Sequence, residues 1–434
     1  MSLISFLPIL VTGFGIYFLI KLRAFFLLHP IRTGKKMLRI MRDPSSRRAL
    51  SLALAGTLGV GNIVGVAYGI SVGGAGAVFW MLVSSIFSSV IKFSESTLAA
   101  DSRVDGRGGM AYVISRNGGW GRVLGGVYAI LCIMLSLTMG TALQAKSAVD
   151  TAAHVGIHPT LFSLIFTVLI VITALGGYKK IEGAVSILIP IATLTYSAAC
   201  IGVIILNFKS VIPTLESIMR GAFNFCSMTG GVSAFLLSKT VKEGYARGLL
   251  SNEAGVGTSA MAEARSSFSE PCAVGLLGMC EVVFDTVILC TLTALAILVG
   301  TPGEIRGGGI SIVIGALRPL LSSATGPLVC ILITLFAYST VVCWYFYASE
   351  CLTFLSRRAG RASYIALFVF STFVGFLLPE DVLISVIDYI LFLMSVLTLF
   401  TLLKNSERIR HLSEQYGLLK KSDAGKGREA KRRH

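Results

Sequence analysis

Residues 53–70 read ALAGTLGVGNIVGVAYGI. The stretch is apolar enough to lie inside a membrane crossing, yet Gly56, Gly59, Gly61 and Gly65 fall within ten residues of it. Glycine costs about 1 kcal/mol per helix position relative to alanine, and lipid supplies no water to satisfy a loosened backbone. The cluster has two readings. Small residues let a neighbouring helix pack close, or the helix is discontinuous and turns freed N–H and C=O groups toward a ligand. Asn62 favours the second, because its amide adds a donor and an acceptor at the break.

The rest of the chain is equally short of charge. Of 434 residues, 54% are hydrophobic and 14% charged, against about a quarter charged in soluble domains. That balance excludes a soluble enzyme and a disordered chain and implies an all-α polytopic membrane protein. Each apolar run must close its own hydrogen bonds in lipid. Eleven crossings are expected, at 3–22, 49–72, 76–100, 123–149, 160–177, 183–207, 213–238, 273–299, 325–354, 362–378 and 382–403. The first is not a cleaved leader, for its basic residues follow the apolar run and no A-x-A site is present. The nine cysteines form no C-x-x-C pair and read as small apolar packing residues.

Charge placement supports this count. Of 38 Lys and Arg, 32 fall in one set of alternate loops, three in the other, and Lys92, Lys146 and Arg220 lie within or beside crossings. The positive-inside rule then places the N-terminus outside and the C-terminus in the cytoplasm, in a plasma membrane of the bacterial inner-membrane type. The net charge of +16 is thus topological, and the basic tail at 420–434 is expected to face anionic lipid rather than nucleic acid. Residues 23–42 set Phe25, Phe26, Leu27, Leu28, Ile31, Met37 and Ile40 among basic residues, the pattern of an amphipathic helix at the inner interface.

A second interruption, GAFNFCSMTGGVSAF, occupies residues 221–235, with Ser227 just before the adjacent Gly230 and Gly231. If crossing two opens one five-helix repeat, crossing seven opens another of inverted topology. The expected organisation is 1–48 (extra helix and basic interfacial segment), 49–207 (first repeat), 208–404 (second repeat) and 405–434 (tail). Paired broken helices point to a site at the bilayer midplane, where helix N-termini attract a carboxylate and opposing carbonyls a cation. A zwitterion taken up with Na⁺ suits that arrangement.

Intramembrane charge is a functional hypothesis by default. Glu281 and Asp285 share one face of crossing eight and read either as a proton or cation relay or as a satisfied polar seam. Lys92 and Glu95, three apart, are expected to pair, and Glu350 and Asp388 to be structural or gating residues. Lys146 either snorkels outward, pairs with Asp150, or stands in for a bound cation. Crossing nine, LFAYSTVVCWYFY (335–347), sets Ser339 and Thr340 one turn from Trp344. Hydroxyls with unwound carbonyls suit a hard cation. With no H-E-x-x-H, Walker motif or catalytic pairing, neither an enzyme nor an organic cofactor is expected.

Several stretches together resemble the alanine/glycine:cation symporter family. They are PILVTGFGIYFLIKLR (8–23), ALAGTLGVGNIVGVA (53–67), GGAGAVFWM (73–81), GLLSNEAGVGTSAMAEA (248–264), GMCEVVFDTVILCTLTALAIL (278–298) and FAYSTVVCWYFYASE (336–350). The resemblance implies a leucine-transporter-type 5+5 inverted repeat with one extra N-terminal helix. It also implies secondary active uptake of small neutral amino acids, alanine and glycine, with Na⁺. By similarity, Thr57, Gly59, Gly61 and Asn62 would hold the substrate, with Thr141, Gln144, Ser227, Gly230, Gly231 and Trp344 around it. The carbonyls of Ala55, Leu58 and Ala337, with the hydroxyl of Thr340 or Ser339, would hold Na⁺. Asn252 and Glu253 would serve a cytoplasmic gate. One departure is GTALQAKSA (140–148), in which Thr141 and Lys146 stand where the family carries amides. The rivals are a proton-coupled transporter using Glu281, Asp285 or Lys146 and, from another class, a receptor or channel.

Overall fold

The computed structural model describes residues 7–223, 239–301, 309–356 and 360–419. The described chain is helical, with one isolated antiparallel bridge between Val104 and Arg107. Helix α1 (Leu7–Lys21) is followed by the amphipathic α2 (Pro30–Ile40). Helix α3 (Pro44–Thr57) starts on Pro44, with the Asp43 carboxylate capping the Ser46 amide at 2.8 Å, and gives way to α4 (Val64–Gly73). The two are bent by 71°, so crossing two is broken where the glycines cluster. Next come α5 (Ala77–Asp101), α6 (Gly121–His154), α7 (Pro159–Ala174), α8 (Tyr178–Leu206) and α9 (Val211–Ala222). The second half holds α10 (Lys239–Asn252), α11 (Pro271–Gly300), α12 (Gly309–Leu321), α13 (Thr325–Leu355), α14 (Arg361–Val374), α15 (Glu380–Lys404) and α16 (Ser406–Gln415).

Burial separates an inner group from an outer one. Helix α5 turns Ser84, Ser88 and Ser96, all fully buried, toward α10 and α11. Small residues permit that approach. A Cβ on Gly275 would sit 2.1 Å from Thr97 Oγ1, and one on Gly278 2.6 Å from Ser96 Oγ. Helices α7 and α8 instead expose Leu164, Ile165, Leu169, Ile187, Ile191 and Leu194, as a lipid-facing ring requires. One face carries the Asp101 end of α5 and the tail helix α16, joined by Arg408–Asp101 at 2.7 Å. We call it the basic face, and the other the far face.

Crossing seven differs from expectation. Trp80 Nε1 donates to the Ala222 carbonyl at 3.1 Å, and Thr240 Oγ1 to the Gly73 carbonyl at 2.8 Å. Ala222 and Lys239 therefore both lie at the far face, and of the expected crossing 213–238, residues 224–238 lie outside the described residues. The crossing is 239–265. It runs beside α5 through Gly248 at Ser84, Gly255 at Glu95 and Ser259 at Lys92, and reaches the basic face where Arg103 Nε donates to the Ala264 carbonyl at 2.8 Å. Lys239, Lys242 and Arg247 accordingly move from the basic side to the far half of the protein. Ser227, Gly230 and Gly231 lie outside the described residues.

Candidate substrate and ion site

Crossing two opens at Leu58. The Gly59 amide donates to the Thr57 carbonyl at 2.8 Å instead of closing a helical turn on Ala55, so the Ala55 carbonyl loses its usual i+4 donor. The Val60 amide turns to Gln144 Oε1 of α6 at 3.3 Å. Thr340 approaches from α13, and a Cβ on Gly59 would meet its Oγ1 at 3.2 Å. That hydroxyl is buried and has no hydrogen-bond partner. Ser339 differs, since its hydroxyl donates to Leu335 O of its own helix at 2.8 Å. Ala55, Leu58 and Ala337, whose carbonyls are expected to hold Na⁺, are fully buried, and of the two hydroxyls expected with them Thr340 is the one without a partner.

The expected substrate residues divide. Thr57, Gly59 and Asn62 are buried at the break, and Gly61 beside them is exposed, with nothing within 4 Å of where a Cβ would lie. Gln144 joins them through Val60. Trp344 donates from Nε1 to the Gly56 carbonyl at 3.3 Å and packs over Gly140, fastening α13 to the first half of crossing two. Thr141 points elsewhere. Its hydroxyl bonds Leu137 O at 2.6 Å and Ser371 Oγ at 2.9 Å, toward α14.

Crossing seven supplies the second break. After Asn252 the chain runs through Glu253 (φ 52°), Gly255 (φ 91°) and Gly257 (φ 82°), left-handed positions that end the helix within the protein. Residues 251–259 are buried and lie midway along α5 and α11, not in a loop on the basic face. Asn252 and Glu253 are thus part of the break. Asn252 Nδ2 donates to Thr286 Oγ1 at 3.0 Å and its Oδ1 accepts from the Ala254 amide, while Thr258 Oγ1 donates to Glu253 Oε2 at 2.5 Å.

The two breaks meet at Asp285. Its carboxylate accepts from Asn62 Nδ2 and Ser251 Oγ, both at 2.6 Å, and from Thr286 Oγ1 at 2.8 Å. Asp285 and Thr286 sit on a π-helical stretch, Val283–Cys290, and such bulges re-aim side chains at functional positions. Asn62 Oδ1 remains buried and without a partner. Such a group is expensive to bury unless a ligand completes it.

Glu281, one turn from Asp285, serves a separate network. Its Oε2 accepts from Lys92 Nζ at 3.1 Å and from Ser259 Oγ at 2.8 Å, and both charged groups are fully buried. Lys92 pairs with Glu281 rather than with Glu95. Glu95 instead accepts from the Gly255 amide at 2.8 Å, and Glu263 from Ser96. Nearer the surfaces, Lys146 pairs with Asp150 at 3.7 Å, and Arg265 with Glu350 at 2.6 Å. Neither Ser251 nor Ser259, nor the reach from Lys92 to Glu281, is among the features expected from sequence. The stretch GLLSNEAGVGTSAMAEA (248–264) is the signal for the first two. No group of three or more His, Cys, Asp or Glu arranged to hold a metal ion occurs among the described residues.

The model of the sodium:alanine symporter family matches residues 1–431. The sodium/alanine symporter AgcS of Methanococcus maripaludis is 29% identical over 439 residues, covering 96% of each chain. The amino-acid carrier protein AlsT of Bacillus subtilis is 31% identical, covering 87% of this chain and 83% of its own. Among solved structures, MhsT in complex with L-phenylalanine matches with a TM-score of 0.56 at 16% identity, covering 81% of this chain and 87% of that one. That likeness is one of fold, and it agrees with the leucine-transporter-type architecture expected from sequence.

Proposed function

Because the chain belongs to the sodium:alanine symporter family and is an amino-acid transporter, we propose that it takes up small neutral amino acids, alanine and glycine first, together with Na⁺ by alternating access. One observation carries this reading. At the first break, freed carbonyls and the unpartnered Thr340 hydroxyl could serve a hard cation, and the unpartnered Asn62 Oδ1 is an acceptor that a zwitterion's ammonium would satisfy. Loosened amides beyond Gly59 offer donors to its carboxylate. Na⁺ bound between α3 and α13 would fasten the two helices and pre-form the substrate pocket. Release would follow when the half-helices on the opposite side move apart. The orientation proposed from charge puts the basic face in the cytoplasm, so the cargo moves from the far face to the basic face.

The test is uptake of labelled alanine and glycine into proteoliposomes. An inward Na⁺ gradient should drive accumulation, and collapse of that gradient should abolish it. Accumulation that ignores Na⁺ would overturn the coupling. The carboxylates at Asp285 and Glu281 favour a second reading, proton coupling, in which a pH gradient alone drives uptake in Na⁺-free buffer.

A further inference from the structure

The chain leaves α1 at Lys21 on the basic face and forms α2 within ten residues. Helix α2 has two unlike sides. Thr33 and Ile40 are buried against the protein. On the opposite side Ile31 and Leu38, 74% and 69% exposed, lie seven residues apart and so nearly in line, with Lys35 between them. Arg32 and Arg39 flank that line. Leu28 (68% exposed) and His29 complete an open groove of about 620 Å³ with Pro30, Ile31, Arg32, Lys35, Lys36 and Arg39. Among the described residues, no acidic side chain lines it.

We propose that this groove between Leu28 and Arg39 is a binding site for an anionic phospholipid, with the headgroup phosphate among Arg32, Lys35 and Arg39 and the acyl chains along Leu28, Ile31 and Leu38. Three observations support that occupant. The exposed apolar line is unfavourable in water and suits the headgroup–acyl boundary, where an amphipathic helix buries its apolar face. The helix directly follows a crossing, which puts it at headgroup depth. The charge is of one sign, and the Lys36 ammonium is already held below its usual range by burial and by the neighbouring Arg32 guanidinium, so the groove gains from an anion. The inner edge of α2 also grips the tail. Arg32 Nη2 donates to the Gly417 carbonyl at 3.0 Å, and Lys36 Nζ donates to Tyr416 O at 3.1 Å and lies 4.4 Å from the Tyr416 ring centroid. A lipid seated on Arg32 and Lys35 would therefore brace the junction of α2 with the tail.

The experiment uses the full chain in nanodiscs of phosphatidylcholine, alone or mixed with phosphatidylglycerol, with thermal midpoint and native mass spectrometry as readouts. Phosphatidylglycerol should raise the midpoint and stay bound through delipidation. Lys35→Gln and Arg39→Gln should each lower its retention about fivefold, as expected for one basic group at an anionic surface. Both positions are exposed and lie outside the transport site, so the fold and alanine uptake in phosphatidylcholine should persist. Equal retention of the two lipids, or unchanged retention in the double variant, would overturn the proposal. So would equal stabilisation by inorganic phosphate added to phosphatidylcholine discs, which would make the groove a phosphate site with no use for the apolar line.

Discussion

Lys92→Met would probe the buried ion pair most directly. At 3.1 Å and an effective dielectric of about 20, the attraction between Lys92 and Glu281 is about 5 kcal/mol. Desolvation of two fully buried charges offsets much of it, so the pair adds little net stability. Removing one partner is different, because the other is left charged and buried, at about 3–5 kcal/mol. The two single variants should not be equal. Without Lys92, Glu281 loses its ion-pair partner and keeps the Ser259 hydroxyl. Without the Glu281 charge, Lys92 still faces Glu95, Glu263 and Glu253. Lys92→Met should therefore destabilise by about 3–5 kcal/mol, and Glu281→Gln by about 1–3 kcal/mol. The double variant should be more stable than Lys92→Met alone. Reversible unfolding of purified protein in mixed micelles, run as a double-mutant cycle, measures all three. A Lys92→Met loss below about 0.5 kcal/mol, or a double variant equal to the sum of the singles, would refute the reasoning.

Three further outcomes are expected. Asn62→Ala should abolish alanine uptake while leaving a monodisperse protein, since Asp285 keeps Ser251 and Thr286; normal uptake in proteoliposomes would move the site elsewhere. Thr340→Val should raise the Na⁺ concentration for half-maximal uptake without lowering the thermal midpoint, because the hydroxyl has no hydrogen bond to lose. Gly140→Ala would set a methyl 2.4 Å from Trp344 Cγ; overpacking of about 1–3 kcal/mol should appear in unfolding, with slower uptake as Trp344 leaves the Gly56 carbonyl.

The first break is legible because two signals coincide in it: glycines inside an apolar run, and an amide at their centre. The second is misplaced by sequence for a physical reason. Residues 239–265 carry Lys239, Lys242, Glu243, Arg247, Glu253, Glu263 and Arg265, far too much charge for a segment facing lipid, so hydropathy assigns them to a loop. Much of the crossing never meets lipid. It lies against α5 and α11, where Glu243 neutralises Arg247 at 3.2 Å and Glu350 meets Arg265. The adjacent Gly230 and Gly231 draw the assignment instead, because in sequence they resemble the glycine cluster of crossing two. Asp285 is visible as an intramembrane acid, but its partners Asn62 and Ser251 stand 223 and 34 residues away in sequence. Lys92 shows the same limit, for its neighbour at i+3 is only the local alternative to a partner 189 residues distant.

The glycine notches between α5 and α11 carry a last consequence. With backbone nearly touching side-chain oxygens at Gly275 and Gly278, neither helix can slide along the other without a collision. Packed this closely, they would turn as one piece. In the proposed alternating access, rocking would then be absorbed at the two unwound segments beside their middle, and a drug lodged in either would jam the whole lever.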